Sequence, residues 1–146
     1  MTPDELGIYN FRRLSPRLTT SGQPDDAQLV GLRDAGIRVV VNLALEDSPG
    51  ALIDEAGTLA ALGVRYVHIP VVFSAPSESD FTTFVALMDD LGDAPVHIHC
   101  AANYRVSAFL YRYRTERLGW SEAEARPDLE AIWQPDAVWQ KFLSRD

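Results

Sequence analysis

Cysteine, histidine, positive charge and long apolar runs are all scarce in this chain, and each scarcity closes off a class of function. Cys100 is the only cysteine among 146 residues, so no disulfide can form within the chain. His68, His97 and His99 are the only histidines, and beside one thiol they give little basis for a metal site. His97 and His99 flank Ile98 and point to one face of a strand, where hydrogen-bonded histidines are the expectation. No stretch approaches the roughly 18 apolar residues that cross a bilayer. The start, Met1-Thr-Pro-Asp-Glu-Leu6, has neither the basic nor the apolar part of a secretory leader, and a cytoplasmic protein without a membrane partner is expected. Thirteen Lys and Arg face 21 Asp and Glu, a net charge of −8, whereas nucleic-acid binding calls for a basic stripe. Arg112, Arg114 and Arg117 do cluster, but such a run reads as a solvated helix face. Low-complexity tracts, internal repeats and long linkers are missing as well.

What is present has the make-up of a globular domain, with 47% hydrophobic and 23% charged residues. A length of 146 residues predicts one domain over 1–146, able to bury about two-thirds of its unfolded surface. Its elements alternate. Phe11–Leu14 and Leu18–Thr20 read as short strands before the turn Gly22-Gln-Pro24, and a helix from Asp25 stops at Gly36. A strand over Arg38–Ala44 carries the doubly buried run Val39-Val-Val41. A helix over Ala51–Leu62 closes at Gly63, and a strand over Arg65–Ile69 ends at Pro70. Ser77 or Ser79 caps a helix with Phe81, Phe84, Val85 and Met88 on one face. A strand over Ala94–His99 leads to a helix over Arg105–Leu118 that breaks at Gly119. Further helices follow from Ser121 and over Pro135–Leu143, with Trp120, Trp133 and Trp139 packing these ends onto the body. Repeated βα units predict an α/β fold with a mostly parallel central sheet of about four to five strands flanked by helices.

The chemistry concentrates where the last strand meets its helix. Cys100 ends the strand, and Ala101-Ala-Asn-Tyr104 is small enough to curl its amides around a ligand. The first turn of Arg105-Val-Ser-Ala-Phe-Leu-Tyr-Arg112 adds unpaired donors and a partial positive charge. Arg105 can close such a cradle on a phosphate, sulfate or similar oxyanion with two parallel donors. The same field favours thiolate over thiol at Cys100. Ligands of open α/β sheets bind outside the carboxyl ends of the strands. Three loops qualify: Leu45-Glu-Asp-Ser-Pro-Gly50, Val71-Val-Phe-Ser-Ala-Pro76 and the Cys100 loop. Glu46 or Asp47 is therefore the first choice of proton donor, followed by Asp80 and Glu78.

His99-Cys100, Arg105 and Ser107 resemble the cysteine-based phosphatases, whose mark is His-Cys, five residues, Arg, then Ser or Thr. Here four residues, Ala101 to Tyr104, separate Cys100 from Arg105. That spacing, with Leu14-Ser-Pro-Arg-Leu-Thr-Thr-Ser-Gly-Gln-Pro24, Val39-Val-Val-Asn-Leu43 and Tyr66-Val-His-Ile-Pro-Val71, is similar to a bacterial branch of tyrosine- and dual-specificity-phosphatase-like domains. Members of that branch occur fused to NAD kinase or β-lactamase-like hydrolases. The resemblance covers nearly the whole chain and implies a phosphomonoester hydrolase with a cysteinyl-phosphate intermediate and no metal or organic cofactor. It implies Cys100 as nucleophile, Arg105 and the amides of Ala101, Ala102, Asn103 and Tyr104 on the phosphoryl oxygens, His99 shaping the loop and Ser107 bonding the sulfur. Two positions depart from the pattern. Asn103 replaces a glycine, though asparagine tolerates positive φ, and Val71-Val72-Phe73 stand where dual-specificity phosphatases often carry the acid.

Two other readings share this anatomy. Rhodanese-like sulfurtransferases also use a strand-to-helix cysteine loop, often with four residues before an arginine. A weak or inactive phosphate-binding module would need the cradle alone. The expected partner is a phosphorylated substrate, and no segment singles out phosphoprotein, nucleotide, sugar phosphate or lipid, or specifies an oligomeric state.

Overall fold

The structure, a computed structural model, describes residues 1–144. In chain order its elements are β1 (Arg12–Arg13), β2 (Leu18–Ser21), α1 (Asp26–Asp34), β3 (Val39–Asn42), α2 (Glu55–Ala61), β4 (Arg65–His68), α3 (Glu78–Leu91), β5 (Val96–His99), α4 (Tyr104–Arg112), α5 (Glu122–Glu130) and α6 (Ala137–Ser144). The five strands form one sheet in the order β1-β2-β5-β3-β4. Only β1 and β2 run antiparallel, while the other neighbours are parallel. This is the mostly parallel, helix-flanked α/β sheet that the alternating elements call for, with β5, the strand that leads into Cys100, at its centre.

All four residues of β3 and of β5 are buried, as strands covered on both faces must be. Alternation then sorts their side chains into two layers. Val39, Val41, Val96 and Ile98 pack with Phe81 and Phe84 of α3, Phe109 of α4 and Trp139 of α6. Val40 packs on the opposite face with Leu29 and Leu32 of α1 and Leu59 of α2. Because Val40 registers with His97 and Asn42 with His99, both histidines face the α1/α2 layer. That placement decides which helix supplies their partners.

Local chemistry sets the ends of the elements. The carboxylate of Asp25 accepts from Gln28 N at 2.7 Å and the Gln28 side chain returns to Asp25 N at 3.0 Å, a capping box at the start of α1. Ser77 caps α3 through Asp80 N at 3.0 Å. β3 stops at Asn42, short of the expected Ala44, because the Asn42 side-chain oxygen accepts from Ala44 N at 2.8 Å and turns the chain. The expected helix through Leu118 is α-helical only to Arg112 and continues as a π turn over Tyr113–Arg117. There the Thr115 hydroxyl donates to the Tyr111 carbonyl at 3.0 Å and to the Arg112 carbonyl at 3.3 Å.

The arginine run is not the solvated face that its charge suggests. Arg112 is 1% exposed, lies 3.9 Å from the Phe81 ring centroid and 4.4 Å from that of Phe142, and pairs with Glu78 and Glu116. Arg114 is also buried, against Asp128 and the Trp120 ring, and Arg117 pairs with Asp89. Trp139 is fully buried, whereas Trp120 remains partly exposed. Among the described residues no helix is long and apolar enough to cross a membrane.

Candidate active site

Cys100 follows β5, and Asn103 is the N-cap of α4, so the whole turn is made by Ala101, Ala102 and Asn103. Asn103 takes φ +69°, the left-handed conformation expected where it replaces glycine. The loop's carbonyls are drawn to its outer side. Ala101 O accepts from Gln23 N at 3.0 Å and Ala102 O from Asn10 Nδ2 at 3.0 Å. Asn103 Nδ2 ties the same rim to Asn10 O at 2.9 Å and to Thr20 Oγ1 at 3.0 Å. Carbonyls held outward turn successive N–H groups inward, and among the described residues the amides of Ala101 and Ala102 donate to no protein acceptor. The first-turn amides of α4 are unpaired by the geometry of a helix start. Gly22 makes this brace possible, since a Cβ there would lie 2.6 Å from Ala101 O and 2.7 Å from Tyr9 Cδ2.

Cys100 has no exposed surface of its own and lies at an open cleft of about 400 Å³ that it lines with Leu45, Asp47, Ser48, Phe73, Tyr104 and Arg105. All three loops at the carboxyl ends of the strands therefore converge on the thiol. Arg105 is 5% exposed and turned inward. Its Nη1 donates to the Val71 carbonyl at 2.9 Å and its guanidinium lies 5.7 Å from the Phe73 ring centroid. Among the described residues its buried Nε has no hydrogen-bond partner. A buried guanidinium N–H without an acceptor is costly, and an oxyanion in the loop would satisfy it. Tyr104 stacks flat on Trp133 at 4.4 Å between centroids, and Trp139 Nε1 donates to the Phe73 carbonyl at 2.8 Å, so the C-terminal tryptophans back the cleft wall.

The strand histidines have different partners. His97 Nε2 lies 2.7 Å from Ser21 Oγ, and Nδ1 lies 2.7 Å from Thr19 Oγ1. Ser21 already donates to the Gly22 carbonyl at 2.6 Å, so its oxygen accepts from His97 Nε2–H, and Nδ1 accepts from Thr19. His97 is thus a neutral tautomer, and burial, with the charge of His99 adding, pushes its titration well below the ordinary 6.5. His99 meets Glu55 at the start of α2, with Nε2 2.6 Å from Glu55 Oε2, while Glu55 Oε1 accepts from Gln23 Nε2 at 3.0 Å. Burial alone would raise the Glu55 carboxyl, but the hydrogen bond and charge of His99 and the Gln23 donor outweigh it, leaving Glu55 below its ordinary 4.5.

Of the two first-choice proton donors, Asp47 lines the Cys100 cleft and Glu46 does not. Glu46 lines a second cleft of about 420 Å³ with Tyr66 and His68. Glu78 receives both arms of Arg112, and Asp80 sits in the first turn of α3. Ser107 also departs from the expectation. Its hydroxyl donates to Tyr104 O at 3.0 Å and accepts from Trp133 Nε1 at 3.1 Å, so among the described residues its bonds go to the α4/α5 side and not to the sulfur. Four contributors escape the sequence reading: Asn10, Gln23, Glu55 and the Val71 carbonyl. Gln23 lies within the quoted Ser-Gly-Gln-Pro segment, which marked its place but not its role. Among the described residues no three His, Cys, Asp or Glu side chains gather as metal ligands.

The family described as "DSP-PTPase phosphatase fused to NAD+ kinase" matches residues 10–138. The chain belongs to this family. It is a phosphatase of the protein-tyrosine-phosphatase type. Among solved structures it is similar to a DUF442 protein from Shewanella putrefaciens CN-32 described as a candidate phosphatase. The two are 34% identical with a TM-score of 0.83, over 95% of this chain and 91% of that one. The core catalytic domain of Siw14 from S. cerevisiae shares the fold at 16% identity and a TM-score of 0.77, over 94% of this chain and 85% of its own. P. aeruginosa TpbA does so at 19% identity and a TM-score of 0.64, over 100% and 94% of the two chains. No curated protein matches the chain.

Proposed function

We propose that this chain hydrolyses phosphate monoesters through a cysteinyl-phosphate. The thiolate of Cys100 attacks phosphorus, the P–O bond to the leaving group breaks, and Asp47 gives its proton to the departing oxygen. Water then attacks phosphorus, Asp47 takes its proton, and the S–P bond breaks to free phosphate. Arg105 and the loop amides from Ala101 to Arg105 hold the equatorial oxygens through both steps. The positive field is supplied by the chain, and neither step calls on a metal or organic cofactor. The observation that carries this reading is the Nε of Arg105, buried and without a partner among the described residues, on a side chain that lines the same cleft as Cys100.

The cleft also bears on the substrate. S. cerevisiae Siw14 is described as a PP-IP phosphatase, and a TpbA variant was crystallised with pTyr. Among the described residues lining this cleft Arg105 is the only cation, and Leu45, Pro49, Phe73, Ala101, Ala102 and Tyr104 make most of the rest. One guanidinium in an apolar wall suits a single phosphoryl group on an apolar or aromatic carrier better than a polyphosphate.

Cys100→Ser is expected to lower turnover of an aryl phosphate by at least about a thousandfold while inorganic phosphate or vanadate still binds. Undiminished turnover would remove the covalent mechanism. Thiocyanate formation from thiosulfate and cyanide, measured on the same preparation, must stay at background, since a rate above that of phosphate release would turn the assignment to sulfur transfer.

A further inference from the structure

The acceptors around His99 specify more than its orientation. Nε2 faces the Glu55 carboxylate at 2.6 Å, and Nδ1 faces the Cys100 carbonyl at 3.3 Å. A carboxylate and a carbonyl are both acceptors, so a ring hydrogen-bonded to both donates from both nitrogens, and that form is the imidazolium. The pair is buried, with the His99 side chain at 0% and that of Glu55 at 6% exposure, so it interacts in a low dielectric. Gln23 satisfies the second carboxylate oxygen with its side chain and holds Ala101 O with its main-chain N–H, which ties this buried pair directly to the anion loop.

Building on the phosphatase reading, we propose that Glu55 is a positioning residue that keeps His99 doubly protonated next to Cys100, so that the imidazolium favours the thiolate and pins the Cys100 carbonyl away from the cleft. His97 cannot substitute as the cation. It stacks 6.5 Å from His99 and is fully buried, and burial with the His99 charge pushes its titration well below 6.5. The other titratable groups near Glu55 are His68 and Tyr66 of β4, with Glu46 and Asp54 on the same cleft, and those lining the cleft of the thiol are Arg105, Asp47 and Tyr104. Glu55 touches none of the reacting atoms and acts through His99.

A single cysteine makes the test direct, because alkylation of this protein by iodoacetamide reads Cys100 alone. Glu55→Gln keeps an acceptor for Nε2–H and removes the charge. Alkylation of Glu55→Gln at pH 6 is expected to be about tenfold slower than that of the parent protein, with the two rates converging at pH 9, where the thiolate forms in both. Glu55→Asp should recover part of the loss at pH 6. Equal rates at pH 6, or the same deficit at both pH values, would overturn the proposal, the second because it marks a merely displaced loop. Should Glu55→Gln fail to fold, 15N spectra of histidine-labelled parent protein decide the matter at pH 7. His99 must show two protonated nitrogens and His97 one, and a neutral His99 overturns the proposal. None of these measurements uses a phosphate ester, so their failure is separable from failure of the phosphatase reading.

Discussion

Asp47 lines one cleft with Cys100 and Arg105, and it is the carboxylate proposed to protonate the leaving group. Its role is visible only where the leaving oxygen needs a proton. Asp47→Asn is expected to lower kcat/KM for phenyl phosphate by about a hundredfold or more, and that for p-nitrophenyl phosphate, whose phenolate departs unaided, by far less. An equal loss on both substrates would take the proton-donor role from Asp47. At this scale the legible part of the site was the part contiguous in sequence, Cys100 to Arg105, including the left-handed turn at Asn103. Glu55 was not legible because the expected helix over Ala51–Leu62 places Asp54 and Glu55 within it with no local sign of burial, whereas α2 starts at Glu55 with Asp54 as its cap. Only the sheet register, which turns His99 toward the α1/α2 layer, shows that the second acid is buried.

Between β2 and α1, the Ser21-Gly22-Gln23 turn supports the anion loop from outside. Its main chain accepts nothing bulkier than hydrogen at Gly22, with the Ala101 carbonyl and Tyr9 on either side. In Gly22→Ala the backbone of one loop or the other must move, so stability should fall by about 1–3 kcal/mol and kcat/KM by more than about tenfold. Urea unfolding and aryl-phosphate kinetics on one preparation check both numbers. A variant that loses stability and keeps full kcat/KM would show that the brace does not set the loop. Element identities were legible through caps and glycine stops, because those signals are local, as with Asp25, Ser77 and Ser121. Strand order was not, since β2 reaches β5 across the whole intervening chain, and the π turn after Arg112 depends on a threonine back-bond that hydrophobic periodicity does not reveal.

At the scale of the whole molecule, buried Glu55 and His97 affect stability in separate pH windows on the acid side. Both are depressed in the folded state, so each contributes stability that is complete above its unfolded value and lost toward acid. For Glu55 the loss begins below the ordinary 4.5, as pH falls through its folded value and the His99 pair is broken. For His97 it begins below 6.5, where the unfolded chain takes up a proton that the folded protein refuses. The slope there can reach about 1.4 kcal/mol per pH unit. A net charge of −8 works in the opposite direction, because acid relieves repulsion among 21 carboxylates, so the bare pH profile mixes the two effects. Comparing the parent protein with His97→Gln cancels the shared surface contribution. Urea midpoints taken between pH 7 and pH 5 should fall more steeply toward acid in the parent protein than in His97→Gln. Parallel profiles would mean that His97 takes up its proton within the fold, which its burial and the neighbouring His99 charge oppose.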